Sequence, residues 1–221
     1  MNKIKMLALI SGTFICNSSF GQEKSTIHLT TGIGVHNIQG RLRNTFKSTV
    51  AFTSGFEKAF SKNWYAQVDV NFNSLKYDQQ ALDESSPYLF QKTTSSLFML
   101  GANFGRDFRF GKSAFFSSLY AGSGYLNIGK PRVNLDEVNK IITQSTVRKG
   151  GILGKAGGRI GINTKSPFMQ TIYLDGSWLT SSLKTEGEYF RSVSIFIGLR
   201  MSMGDDNKAI KNQMKSLSKF R

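Results

Sequence analysis

The chain has 221 residues, with 29 Lys and Arg against 14 Asp and Glu, a formal charge of +15, one cysteine and two histidines. One cysteine excludes an internal disulfide, and two histidines with no spaced carboxylate motif argue against a metal centre. No apolar run reaches the ~20 residues that a spanning helix needs, so any membrane residence has to come from strands.

The opening MNKIKMLALISGTFICNSSFGQ sets Lys3 and Lys5 ahead of an apolar run from Met6 to Cys16, then small and polar residues. That is the layout of a secretory signal peptide, expected over residues 1–21 with cleavage after Gly21. Acylation of Cys16 is the alternative, and bulky Ile15 speaks against it. Removal would take Cys16 and two lysines with it, leaving a charge of +13. On an exported chain such a balance points to anionic lipid or lipopolysaccharide rather than nucleic acid; a generally basic soluble surface stays open.

Eight segments then alternate apolar and polar residues, the signature of strands whose successive side chains point to opposite faces. In STIHLTTGIGVHN, Ile27, Leu29, Ile33 and Val35 share one face. In FKSTVAFTSGFEKAF, Phe46, Val50, Phe52, Phe56 and Phe60 do the same. NWYAQVDVNFNS is the most regular, with Trp64, Ala66, Val68, Val70 and Phe72 against Tyr65, Gln67, Asp69, Asn71 and Asn73. Segments from Leu97, Ser113, Ile152 and Gln170 follow, and RSVSIFIGLRMSM closes the series. Each is near the ~9–11 residues that a tilted strand needs to cross a bilayer.

Long polar connections (36–45, 75–96, 127–151 and 180–189) alternate with short ones (61–63, 109–112 and 164–167). This places every long loop at one end and the short turns with both termini at the other, as in outer-membrane barrels. The expected fold is an all-β, eight-stranded, antiparallel up-and-down transmembrane barrel over residues 22–204. Its apolar face meets lipid, and its polar face lines the interior. A soluble lipocalin-like carrier of an apolar ligand is the alternative, with the faces reversed.

The polar face carries Glu57, Asp69, Lys155, Arg159, Asp175 and Arg200 in mid-strand. Buried charges have to be paired, so these six are read as a lumen network; as an open pore they would favour anions instead. Eight strands leave an interior that side chains fill, which favours the plugged reading. Arg41, Arg43 and Lys47 in the first long loop, with Lys130, Arg132, Lys140, Arg148 and Lys149 in the third, are candidate contacts for lipopolysaccharide phosphates. Solvated loops are the alternative, and both readings stand at this point. Within the third loop, LDEVNKII is expected to form a short helix.

With GFEKAFSKNWYAQVDVNFNSLKY and the closing YFRSVSIFIGLRM in view, the chain resembles the small outer-membrane β-barrel proteins of Gram-negative bacteria, of the PorT-like and OmpA/OmpX-like kinds. The resemblance implies residence in the outer membrane with periplasmic termini and extracellular long loops. It also implies a structural, adhesive or accessory role without catalysis or cofactor. The tail DDNKAIKNQMKSLSKFR departs from the pattern, since such barrels often end on their last strand. Over residues 205–221 it is read either as a basic amphipathic helix for the inner leaflet or a periplasmic or envelope protein partner, or as a disordered end. An accessory subunit of a secretion or assembly machine and a lipid A-modifying enzyme working through His36 are the remaining alternatives. His28 is expected to pack in the lumen. The glycines of GSG (122–124) and KAGGRIG (155–161) lack the strand-to-helix context of a phosphate loop and are expected to relieve crowding inside the barrel.

Overall fold

The computed structural model describes residues 27–60, 63–78, 93–109, 113–136, 141–164, 166 and 169–203. The expected leader and basic tail lie outside them. The strands are β1 (Ile27–Ile38), β2 (Phe46–Lys47), β3 (Val50–Ala59), β4 (Trp64–Tyr77), β5 (Thr93–Arg109), β6 (Phe115–Asp136), β7 (Ile141–Asn163), β8 (Met169–Thr185) and β9 (Glu188–Ser202). A four-residue helix, α1 (Leu42–Thr45), precedes β2.

All pairings are antiparallel. β1 pairs with both β3 and β9, and β4 with β5, so β1 and β3–β9 form a closed eight-stranded barrel; β2 adds a two-residue rung on β4. Closure leaves no sheet edge in the wall, which a bilayer requires because it offers no water to unpaired amides.

The faces divide by chemistry. On β4, Trp64, Val68 and Phe72 point outward and are exposed, while Tyr65, Gln67, Asp69, Asn71 and Asn73 point inward and are buried. Exposed Phe52, Phe56, Phe104, Leu119, Ile160, Leu174, Ile195 and Ile197 continue the apolar belt around the wall. Along β4 the belt runs nine residues, eight steps, from Trp64 to Phe72. That is about 26 Å of strand, or about 20 Å along the membrane normal at ~40° tilt, close to the ~25 Å band of transmembrane barrels. The fold is a transmembrane β-barrel, and the soluble alternative fails because its apolar side would have to point inward.

Above the belt the polarity inverts. Leu75 and Tyr77 continue the inward face of Asp69 and Asn73, whereas Ser74 and Lys76 continue the outward face of Phe72. The same change occurs at Leu97 and Met99 on β5, Leu126 and Ile128 on β6, and Leu179 and Leu183 on β8. These residues join Leu42 and Phe46 in one apolar cluster fed by every barrel strand except β3. Once the wall leaves lipid, its outside meets water and its inside becomes an ordinary hydrophobic core.

Four expectations are corrected by this inversion. The strands run to 23 residues rather than ~10, because they continue past the lipid. The third long loop is mostly a β6–β7 ribbon: Leu135, Asp136, Ile141 and Ile142 of the expected LDEVNKII helix are strand, with residues 137–140 outside the description. The fourth loop is a two-residue turn between β8 and β9, where Glu186 (φ 49°) and Gly187 (φ 81°) take the paired left-handed conformations of a type I′ hairpin. Finally, Phe46 does not share the lipid face of Val50 and Phe52. The chain turns inward through α1, and Phe46 is fully buried 5.4 Å from the Tyr77 ring.

Candidate functional site

The lower half of the interior holds the six charges singled out from the sequence, and strand order explains what each can reach. Around the barrel the wall strands run β1, β3, β4, β5, β6, β7, β8, β9, so β3 and β7 are diametrically opposed, as are β5 and β9. Arg159 on β7 donates from Nη1 to Glu57 on β3 at 3.0 Å, crossing the whole lumen. Its Nε donates to Asp175 on neighbouring β8 at 2.7 Å, and its Nη2 donates to Gln67 on β4. Arg200 on β9 donates to Asp107 on β5 at 3.0 Å, again across the lumen, and pairs with Glu57 at 3.0 Å. Lys155 on β7 donates to Asp69 on β4 at 2.6 Å.

Aromatic rings complete the cage. The Arg159 guanidinium lies 5.6, 5.1 and 5.0 Å from the centroids of Tyr65, Tyr120 and Tyr173, within reach of the negative ring faces. Tyr120 also donates its hydroxyl to Asp175 at 2.7 Å. These tyrosines fit because each lies over a glycine of the adjoining strand. A Cβ at Gly105, Gly157 or Gly198 would stand 2.6 Å from the hydroxyl of Tyr65, Tyr120 or Tyr173 respectively. A void of about 10 Å³ remains among His36, Asp69, Lys155 and Phe196, about the space of one water molecule.

Asp107 belongs to this network, although the sequence reading passed it over. It follows Asn103 and Gly105 at two-residue spacing, and both are buried inward on β5. Phasing NFGRDF from that spacing would have found it.

His36 is not a residue of an outer loop. It is buried inside the wall, with Nδ1 2.5 Å from the Ser194 hydroxyl and its ring 5.2 Å from Phe196. His28 is likewise buried on the inner face.

The basic residues of the outer end divide into several environments. Lys130 is fully buried, ion-paired with Glu186 beside the β8–β9 turn, and 5.7 Å from the Phe46 ring, so it belongs to the interior and not to an outward loop. Arg41 is exposed and pairs with Glu188 at 3.6 Å; Lys47 pairs with Asp78 at 3.5 Å. Arg43, Arg148 and Lys149 are exposed, and Arg132 pairs through its backbone with Ser145 on the ribbon.

No protein-family model and no curated protein matches the chain. Among solved structures, it is similar to the attachment invasion locus protein Ail of Yersinia pestis in complex with the heparin analogue sucrose octasulfate, at 12% identity and a TM-score of 0.46, covering 81% of this chain and 99% of that one. Neisserial surface protein A is similar at 15% identity and a TM-score of 0.47, covering 80% and 97%. The N-terminal β-barrel domain of Pseudomonas aeruginosa OprF is similar at 8% identity and a TM-score of 0.44, covering 80% and 99%.

Proposed function

We propose that the chain is a non-enzymatic, non-conducting barrel of the Gram-negative outer membrane, with a structural, adhesive or accessory role that it performs by holding its outer rim and β6–β7 ribbon above the lipid. The observation that carries this reading is the double closure of the lumen. Arg159–Glu57 and Arg200–Asp107 tie opposite walls together below, and the cluster around Leu42 and Phe46 fills the mouth above. An ion entering from either side meets side chains already bonded to one another, or a dry apolar core.

The ribbon supports a docking role. β5 stops pairing at Ser96–Gly129 and β8 at Leu153–Ser181, whereas β6 and β7 stay paired to Asp136–Ile141. Seven residues beyond Gly129, at ~3.4 Å each, carry the pair about 24 Å further along its own strands. Its two edges have no neighbouring strand among the described residues, and such edges accept an added strand from a partner. Catalysis through His36 is disfavoured, because that imidazole is bonded to Ser194 inside the wall and away from lipid.

The test combines localisation with conductance. Membrane fractionation should recover the protein with the outer membrane, and detergent-folded samples should migrate differently with and without boiling. Planar bilayers holding the folded protein should show no steps above background. Stable ion-conducting steps would overturn the sealed-lumen reading, and recovery in the soluble periplasm would overturn the membrane reading.

A further inference from the structure

A groove of about 730 Å³ runs along the outside of the wall where the apolar belt gives way to polar residues, a volume typical of small-molecule sites. Two rows of outward residues build it. The lower row, in register across β3 to β6, is Phe52–Phe72–Phe98–Asn127. The upper row, across β4 to β7, is Ser74–Ser96–Gly129–Arg148. Small residues in the upper row leave a trough above three aromatic rings, and Arg148 closes one end of it.

The polar groups at the rim converge. The Tyr125 hydroxyl lies over Gly150, where a Cβ would collide with it, and so stands one rung below Arg148. Asn127 sits on that same rung, paired with Gly150. Among the described residues Arg148 makes no ion pair, unlike Arg41 and Lys47 of the first long connection, which have acidic partners. The site therefore offers an uncompensated guanidinium and neutral hydroxyl and amide groups at the head of an apolar channel, at the depth where lipid headgroups begin.

We propose that this groove binds one molecule of lipid A, with an acyl chain against Phe52, Phe72 and Phe98 and a phosphate on Arg148. This rests on the outer-membrane reading given above. Charge and shape select the occupant: a guanidinium binds phosphate oxygens through paired, charge-assisted hydrogen bonds, and the aromatic floor requires hydrocarbon. The groove lies toward the end opposite the start of β1 and the end of β9, which the outer-membrane reading assigns to the leaflet that carries lipid A.

The experiment uses the full chain folded in detergent and titrated with bis-phosphorylated lipid A, fully dephosphorylated lipid A or phosphatidylglycerol, with bound lipid counted by native mass spectrometry. One lipid A should be retained, Arg148→Ala should weaken it about tenfold or more, and Ser96→Leu, which fills the trough without changing charge, should weaken it too. The dephosphorylated lipid and phosphatidylglycerol should bind at least tenfold more weakly than lipid A. Equal retention by wild type and Arg148→Ala, or binding of either control lipid as tight as that of bis-phosphorylated lipid A, overturns the proposal. Heat-dependent gel mobility on the same samples separates the failures. A variant that shifts on boiling has folded as a barrel, so loss of binding then bears on the groove; a wild-type chain that shows no shift sinks the membrane reading itself.

Discussion

Arg159 is the residue whose loss should cost the barrel most, and Arg159→Met isolates its charge while keeping much of its bulk. The guanidinium donates to Asp175, Glu57 and Gln67, and its side chain is 2% exposed, with Glu57 at 1% and Asp175 at 8%. Removing it takes a cation from two carboxylates in a site that water does not screen. Glu57 keeps Arg200, and Asp175 keeps only the Tyr120 hydroxyl among the contacts described. Breaking a buried pair in this way costs about 3–5 kcal/mol. With a urea slope of ~2 kcal/mol per molar, the unfolding midpoint should fall by about 1.5–2.5 M. The assay is reversible urea unfolding in lipid vesicles, read by gel mobility without boiling and by fluorescence of outward-facing Trp64 and Trp178. Asp175→Asn should be partly masked in the Arg159→Met background, so the double-mutant cycle should give a coupling above about 1 kcal/mol. A single-variant loss below about 1 kcal/mol with an additive cycle would refute the view that these charges hold opposite walls together.

Other expectations bear on separate parts of the fold. Val68 lies midway along the belt of β4, so Val68→Arg should destabilise the inserted barrel by about 2–4 kcal/mol, where an exposed site on a soluble protein would tolerate it. Gly198→Ala should cost about 1–3 kcal/mol by forcing Tyr173 aside, whereas Gly176→Ala, with nothing within 4 Å of the added carbon, should leave the same urea midpoint unchanged. Glu186→Ala should lower stability by about 1–3 kcal/mol because it removes a carboxylate paired with buried Lys130. Lys47→Ala, which breaks a pair exposed at 60% and 42%, should move the midpoint by less than Glu186→Ala does in the same titration.

The wall within lipid was legible because it obeys one rule over long runs, with few departures such as the inward rings of Phe116 and Phe196. Trp64 to Phe72 alternate cleanly, and mid-strand Asp69 and Arg159 show that the polar face is enclosed and needs partners. Pairing partners were not legible, since Arg159–Glu57 and Arg200–Asp107 depend on which strands oppose each other across a closed sheet. The outer third misled for a physical reason. Leu75, Tyr77, Leu126 and Ile128 keep the same two-residue period but with inside and outside chemistry exchanged, so the alternation marking a strand persists while the rule naming its faces reverses. Read with the original rule, those stretches look like broken, mostly polar loops. Phe46 misled in the same way, because the change of direction through α1 is carried by four residues with no turn signature strong enough to reset the phase.

The inversion at Ser74 also acts as a depth stop. Displacing the barrel inward by one rung would carry Ser74, Ser96 and Arg148 into hydrocarbon, and displacing it outward would wet Phe52, Phe72 and Phe98. Either slip is opposed all around the circumference at once, so the protein is fixed in height as firmly as in fold. Whatever meets its outer rim or its ribbon does so at a set distance from the membrane surface.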